Sequence, residues 1–301
     1  MTPDRFVNKL HKRITSLRGD RMSDSPQVHD VEAFYDTHPI TERQIVEKLK
    51  TDGVDLSSLT EDRLQDYDQD HYGGVAANDA LAAIAAIDQG CDLLDVCCGL
   101  GGPSRYLAHK FGCRVTGIDL TKSRIEGATR LTAMAGLADR VSFRCANALD
   151  LPFSDERFDV VISQEAFCHI PDKDRLVAEC VRVLKPGGRM AFTDVLVTDR
   201  TTAATEARLQ REMAMTELAS ADFYRQCFES EGCDMEVEDL SDAWRGILID
   251  RLAMYRGLKA QTIERFGSAH FTKWDRAYSF FVGLYGTGEL GGGRFLARRR
   301  D

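Results

Sequence analysis

The sequence predicts an α/β protein built on a doubly wound, mostly parallel sheet, with an N-terminal helical extension and a helical cap. Three observations carry this. Strand and helix signals alternate through the middle of the chain, a glycine-rich turn joins one of those strands to its helix, and an aspartate ends the next strand.

Taken in order, residues 1–75 are polar and read as a helical arm and lid segment. Phe6, Val7, Leu10, Ile14 and Leu17 share helical spacing among the charges between Lys9 and Arg21, the pattern of a packing arm. A second helical pattern runs from Val31 to Leu49, and Thr51 to Gln69 is loop, rich in Asp, Ser and Thr. The core is expected over 76–240. Asp79 to Ile87 is an Ala-rich helix, Leu93 to Val96 a buried strand, Ser104 to Lys110 a helix and Val115 to Asp119 a strand. Lys122 to Ala135 is helix, Val141 to Phe143 strand, Phe158 to Ser163 strand, Lys173 to Leu184 helix and Arg189 to Val197 strand. Such alternation implies right-handed crossovers between parallel strands. Residues 199–301 read as mostly helical, with a cap over 241–290. The last segment, 291–301, supplies a final core strand, Gly291 to Ala297, and a basic tail, Arg298 to Arg300.

Charge and composition narrow the function. A net charge of −9 and a pI near 5.4 argue against duplex nucleic acid as a partner and favour a small-molecule substrate. No run approaches the roughly 20 apolar residues of a membrane helix, and the N-terminus lacks a signal-peptide core. A soluble, cytoplasmic protein is therefore expected, with a homodimer allowed. The nine cysteines contain no C-x-x-C pair, so reduced thiols and no metal are expected.

The most informative segment is Leu93-Leu94-Asp95-Val96-Cys97-Cys98-Gly99-Leu100-Gly101-Gly102-Pro103-Ser104. Glycines let a ligand approach the backbone, and the helix that follows offers free N–H groups. Asp119 ends the next strand 20 residues after Gly99, where a carboxylate can accept from ribose hydroxyls. Half of a dinucleotide fingerprint is present, which alone would also admit a nicotinamide cofactor and an oxidoreductase. Asp95 discriminates. It would repel a pyrophosphate but attract the ammonium and sulfonium of S-adenosylmethionine.

On these residues the chain resembles the class I S-adenosylmethionine-dependent methyltransferases, which share a Rossmann-like sheet. The matching pieces are LLDVCCGLGG (93–102), VTGIDL (115–120), ANALDLPF (146–153), FDVVISQEAFCHI (158–170) and VLKPGGRMAFTD (183–194), in the family's order. The resemblance implies that Gly99 and Gly101 flank the methionine moiety, Asp119 holds the ribose and Leu120 packs on adenine. It further implies that Asn147 and Ala148 bind the adenine edge and that Gln164 closes the site from the fourth strand. Two positions depart from the family pattern: Cys97 stands where glycine is usual, and Asn147 where aspartate is.

Within that family the chain is similar to sarcosine and dimethylglycine N-methyltransferases, above all over SQEAFCHIPDK (163–173). The resemblance implies N-methylation of an amino-acid-like osmolyte precursor. S-methylation of a thioether amino acid such as methionine, or a non-catalytic S-adenosylmethionine-binding protein, are the alternatives. Substrates of open α/β sheets lie beyond the carboxyl ends of the strands, which puts Glu165 and His169 at the chemistry. The stretch Gln69-Asp70-His71-Tyr72-Gly73-Gly74 could fold over the cofactor, with Tyr72 shielding the sulfonium. A zwitterionic acceptor also needs an arginine and an aromatic. The helix from Asp242 offers Trp244 and Arg245, with Arg251 and Tyr255 about two and three turns on.

Overall fold

The computed structural model describes Tyr35 and residues 40–301. The arm pattern between Phe6 and Leu17 lies outside the described residues, and so do residues 31–34 and 36–39. The helix expected there is described from α1 (Glu42–Thr51) onward. Two short elements follow, a 3-10 turn (Leu56–Ser58) and α2 (Glu61–Leu64). The core then runs α3 (Gly74–Ile84), β1 (Asp92–Val96), α4 (Gly102–Phe111), β2 (Arg114–Asp119), α5 (Lys122–Met134), β3 (Val141–Cys145) and β4 (Phe158–Gln164). It continues through a 3-10 turn (Phe167–His169), α6 (Lys173–Val183), β5 (Leu184–Val197), α7 (Ala203–Met213), α8 (Ala221–Ser230) and β6 (Cys233–Asp239). The cap is α9 (Ser241–Gly257), α10 (Lys259–Phe266) and α11 (Ser268–Thr287), and β7 (Leu290–Arg299) returns to the sheet.

The seven strands form one sheet in the order β3-β2-β1-β4-β5-β7-β6. The pairs from β3 to β5 are parallel, and β7 runs antiparallel between β5 and β6. Alternate strand residues feed opposite faces. Leu94, Val96, Val161 and Phe192 pack with α6 and α8, whereas Leu93, Val115, Val160 and Ile162 pack with α3 and α4. Burial on both faces explains why these strands read as continuous apolar runs. The strand order reverses between β1 and β4, which opens a crevice at their carboxyl ends.

One element corrects the sequence reading. Residues 233–239, expected within a mostly helical stretch, form edge strand β6. Cys233, Met235 and Val237 alternate with acids, which is the period-two pattern of a half-buried strand. Those acids meet the arginines of β7 and the tail: Glu238 pairs with Arg294 at 2.9 Å and Asp234 with Arg300 at 2.7 Å. The basic tail is thus ion-paired along the sheet edge, and charge on an edge strand also discourages pairing with other chains.

The glycines of β7 serve the cap. A Cβ on Gly292 would stand 2.2 Å from the indole of Trp244, so the bare backbone is what lets α9 lie flat on the sheet. Trp244 is buried there, in a cluster with Leu248, Phe281 and Tyr285. Among the described residues no helix is long and apolar enough to cross a membrane.

Candidate active site

At the crevice, the turn after β1 is built from three left-handed residues, Cys97 (φ 63°), Gly99 (φ 53°) and Gly101 (φ 77°). A Cβ on Gly101 would meet the Phe143 ring at 2.4 Å, and one on Gly102 would meet the Asp68 carbonyl oxygen at 2.4 Å. Gly99, by contrast, has open space on its Cβ side, facing the cavity. Cys97 holds by strain a conformation that glycine adopts freely. That is the physical sense of its departure from the family pattern.

Two acids lie beneath this turn. Asp119 accepts from the Gly99 N–H at 3.0 Å and the Thr121 N–H at 2.8 Å, so it braces the glycine turn from the neighbouring strand. Burial pushes its carboxyl above the ordinary range. Asp95 is buried, accepts from the Ser104 hydroxyl at 2.5 Å, and is pushed up to about 7 by its desolvation. A carboxylate so placed is costly without a cationic partner. Gln164 ends β4 with both side-chain amide atoms buried and unpartnered. Asp95, Gly99, Asp119, Leu120, Asn147, Ala148 and Gln164 all line one cavity. Gly101 shapes the turn without lining the cavity. The Asn147 side-chain oxygen accepts from the Leu149 N–H at 2.9 Å, which fixes the loop after β3.

The loop after β4 forms the adjoining wall. Glu165 has φ 46°, and its two oxygens accept from the Thr193 hydroxyl at 2.6 Å and the Tyr72 backbone N–H at 2.7 Å. Burial raises its carboxyl to about 7. His169 donates from Nδ1 to the Ala214 carbonyl at 2.9 Å and stands edge-on to Tyr35. Beneath the loop, buried Asp194 accepts from the Cys168 N–H and the Tyr224 hydroxyl. Buried Lys173 donates to the carbonyls of Ile170 and Glu217.

The cap closes the third side. Arg251 donates to the His71 carbonyl at 2.9 Å, and its nearest carboxylate is Asp70 at 3.9 Å. The guanidinium lies over the Tyr72 ring at 5.2 Å, and Tyr255, Trp274 and Tyr278 line the same cavity, packed on one another. Tyr72, Glu165 and His169 therefore share the cavity with the glycine turn. Trp244 and Arg245 do not line it. Trp244 is taken up by Gly292 and by an edge-to-face contact with Tyr72 at 4.9 Å, and exposed Arg245 pairs with Asp242 at 3.4 Å. Arg251 and Tyr255, further along the same helix, take that place.

Several lining residues carried no sequence signal. Asp68 lines the cavity and is held by fully buried Arg105 of α4, to which it is bonded at 2.5 Å. Trp274 and Tyr278 come from α11, where the four-residue spacing is legible but its partner face is not.

A family model described as a methyltransferase domain matches residues 94–192. The chain is 37% identical over 164 residues to the methyltransferase GfsG of Streptomyces halstedii, covering 53% of this chain and 59% of that one. It is 32% identical over 197 residues to the 27-O-demethylrifamycin SV methyltransferase of Amycolatopsis mediterranei, covering 64% of this chain and 72% of the relative. Tocopherol O-methyltransferase and sarcosine/dimethylglycine N-methyltransferase are also among the relatives, and the matched region spans a third and a half of their lengths. A crystal structure described as a sarcosine dimethylglycine methyltransferase from Galdieria sulphuraria superposes with a TM-score of 0.71 at 21% identity, covering 86% of this chain and 98% of that one, which shows the shared fold. The chain belongs to the class I S-adenosylmethionine-dependent methyltransferases.

Proposed function

We propose that this chain transfers a methyl group from S-adenosylmethionine to the nitrogen of a small amino-acid-like amine of the sarcosine or dimethylglycine kind. The residues present suit the cofactor. Asp95 and Asp119 offer carboxylates to an ammonium and to ribose hydroxyls, the orphaned Gln164 amide awaits a polar partner, and the open side of Gly99 leaves room for one. Leu120, Asn147 and Ala148 would hold the adenine. When bound, the cofactor supplies a methyl group activated by a positively charged sulfur.

The observation that carries the acceptor class is Arg251 among Tyr72, Tyr255 and Tyr278, in the same cavity as the two acids. A guanidinium suits a carboxylate and aromatic faces suit an ammonium, so the pair fits a zwitterion. Glu165 adds negative charge beside the acceptor once it ionises above about 7, and it keeps Tyr72 in place by accepting its N–H. Chemistry of this type depends on alignment and exclusion of water, which the cap and the 68–74 segment provide.

The test is release of S-adenosylhomocysteine across glycine, sarcosine, dimethylglycine and methionine. Turnover is expected with the amines. Arg251→Leu is expected to raise KM for them by about tenfold or more, the loss of a charged hydrogen bond, with S-adenosylhomocysteine affinity retained. Turnover with methionine alone would move the reading to S-methylation, and none with any acceptor would count against it.

A further inference from the structure

His71 is buried, yet only one of its ring nitrogens has a partner. Nε2 lies 2.9 Å from the Gly74 carbonyl oxygen. A carbonyl can only accept, so Nε2 carries the hydrogen and Nδ1 is left as a bare lone pair. Nδ1 is shielded from solvent and has no hydrogen-bond partner. An unmet acceptor in such a place costs about 1–3 kcal/mol, which a structural histidine has no reason to carry. Burial also holds the ring neutral, lowering its pKa to about 4.

The ring's surroundings say which ligand it serves. Its own backbone carbonyl accepts from Arg251, its neighbour Tyr72 is held by Glu165, and the ring lines the same cavity as all three. It thus belongs to the acceptor wall of that cavity.

We propose that His71 Nδ1 accepts a hydrogen bond from the attacking atom of the methyl acceptor, and so selects acceptors that carry a hydrogen there. This rests on the reading of the cavity as a methyl-acceptor site for a small amine. Sarcosine, a secondary amine, has an N–H to donate when its lone pair is free; dimethylglycine and thioethers have none. His71 orients that lone pair toward the methyl group. A site with an unpaired acceptor also penalises an analogue that leaves it unpaired.

Two measurements test this. Nitrogen NMR of the full-length protein saturated with S-adenosylhomocysteine reports the His71 tautomer without any turnover. The expected result is a neutral ring with hydrogen on Nε2 throughout pH 5.5–8 (roughly one unit or more above its depressed pKa), with the Nδ1 resonance moving when sarcosine is added. The opposite tautomer, or titration near the ordinary histidine value, overturns the proposal. The second measurement is His71→Gln, whose side-chain NH2 can still donate to the Gly74 carbonyl but offers no acceptor at the Nδ1 position. The ratio of kcat/KM for sarcosine to that for dimethylglycine is expected to fall about tenfold. An unchanged ratio in a variant of native melting temperature overturns it. If neither amine binds by calorimetry, the amine reading fails; the NMR tautomer then still decides whether His71 holds an open acceptor.

Discussion

At the scale of single residues, the site is a set of buried groups waiting for particular partners. Asp95 is the clearest. Its carboxyl sits near 7 because burial disfavours its charge, and a cofactor ammonium would restore that charge. S-adenosylhomocysteine affinity should therefore be flat above pH 8 and weaken below about pH 7, approaching tenfold per unit. Calorimetry between pH 5.5 and 8.5 checks this, and the slope should vanish in Asp95→Asn. A slope that survives that change would assign the titration elsewhere. Cys97 makes the converse point. At φ 63° a side chain costs about 1–2 kcal/mol, while glycine gives back about 0.5–1 kcal/mol through unfolded-chain entropy and loses the partly buried thiol. Cys97→Gly should accordingly leave stability within about 1 kcal/mol and cofactor affinity within about twofold. Cys97→Val, β-branched in a left-handed position, should lose about 2 kcal/mol or more. Equal melting temperatures for the two variants would contradict this account of the turn.

At the scale of elements, the loop after β4 shows how the sheet delivers chemistry. Glu165 and His169 face the cavity because the loop folds into a 3-10 turn pinned from below by Asp194 and Lys173. Lys173 is the clamp. Its ammonium joins the Ile170 carbonyl of this loop to the Glu217 carbonyl, and Asp194 lies close enough to favour its charge. Lys173→Met should cost about 3–5 kcal/mol, the penalty for leaving a buried charge and two carbonyls uncompensated, read as a shifted denaturant midpoint. A midpoint shift of under about 1 kcal/mol would mean that the clamp is dispensable. This element also marks what the sequence could disclose. The glycine turn, Asp95, Asp119 and the strand-helix alternation are legible because each rests on local spacing. The edge strand β6 is legible only in part: its apolar–acid alternation is local, but the β7 arginines that pair those acids are remote in sequence. Helix position alone favours Trp244 and Arg245 over Arg251. Which face of α9 meets the sheet depends on Gly292, a residue 48 positions away (292 − 244).

At the scale of the whole molecule, three layers converge on one crevice: the carboxyl ends of the central strands with their glycine turn, the 61–74 segment tied to α4 by Arg105, and the helical cap with Arg251. The relatives named for rifamycin, tocopherol and sarcosine differ in acceptor, and the acceptor wall proposed here draws Arg251 from the cap. Nothing local in the sequence announces that the cap aromatics and the post-β4 loop face each other, which is why the cofactor is easier to read than the acceptor. The central claim, methyl transfer to an amine nitrogen, has a direct signature. A secondary or tertiary amino acid titrates near about 10, like lysine, and attacks only when unprotonated. Initial rates of S-adenosylhomocysteine formation, at subsaturating sarcosine or dimethylglycine and saturating cofactor, should climb about tenfold per unit between pH 7 and 9, above the titration of Glu165. A flat profile over that interval with the best acceptor, or no product with any amine while methionine is methylated, would contradict the account.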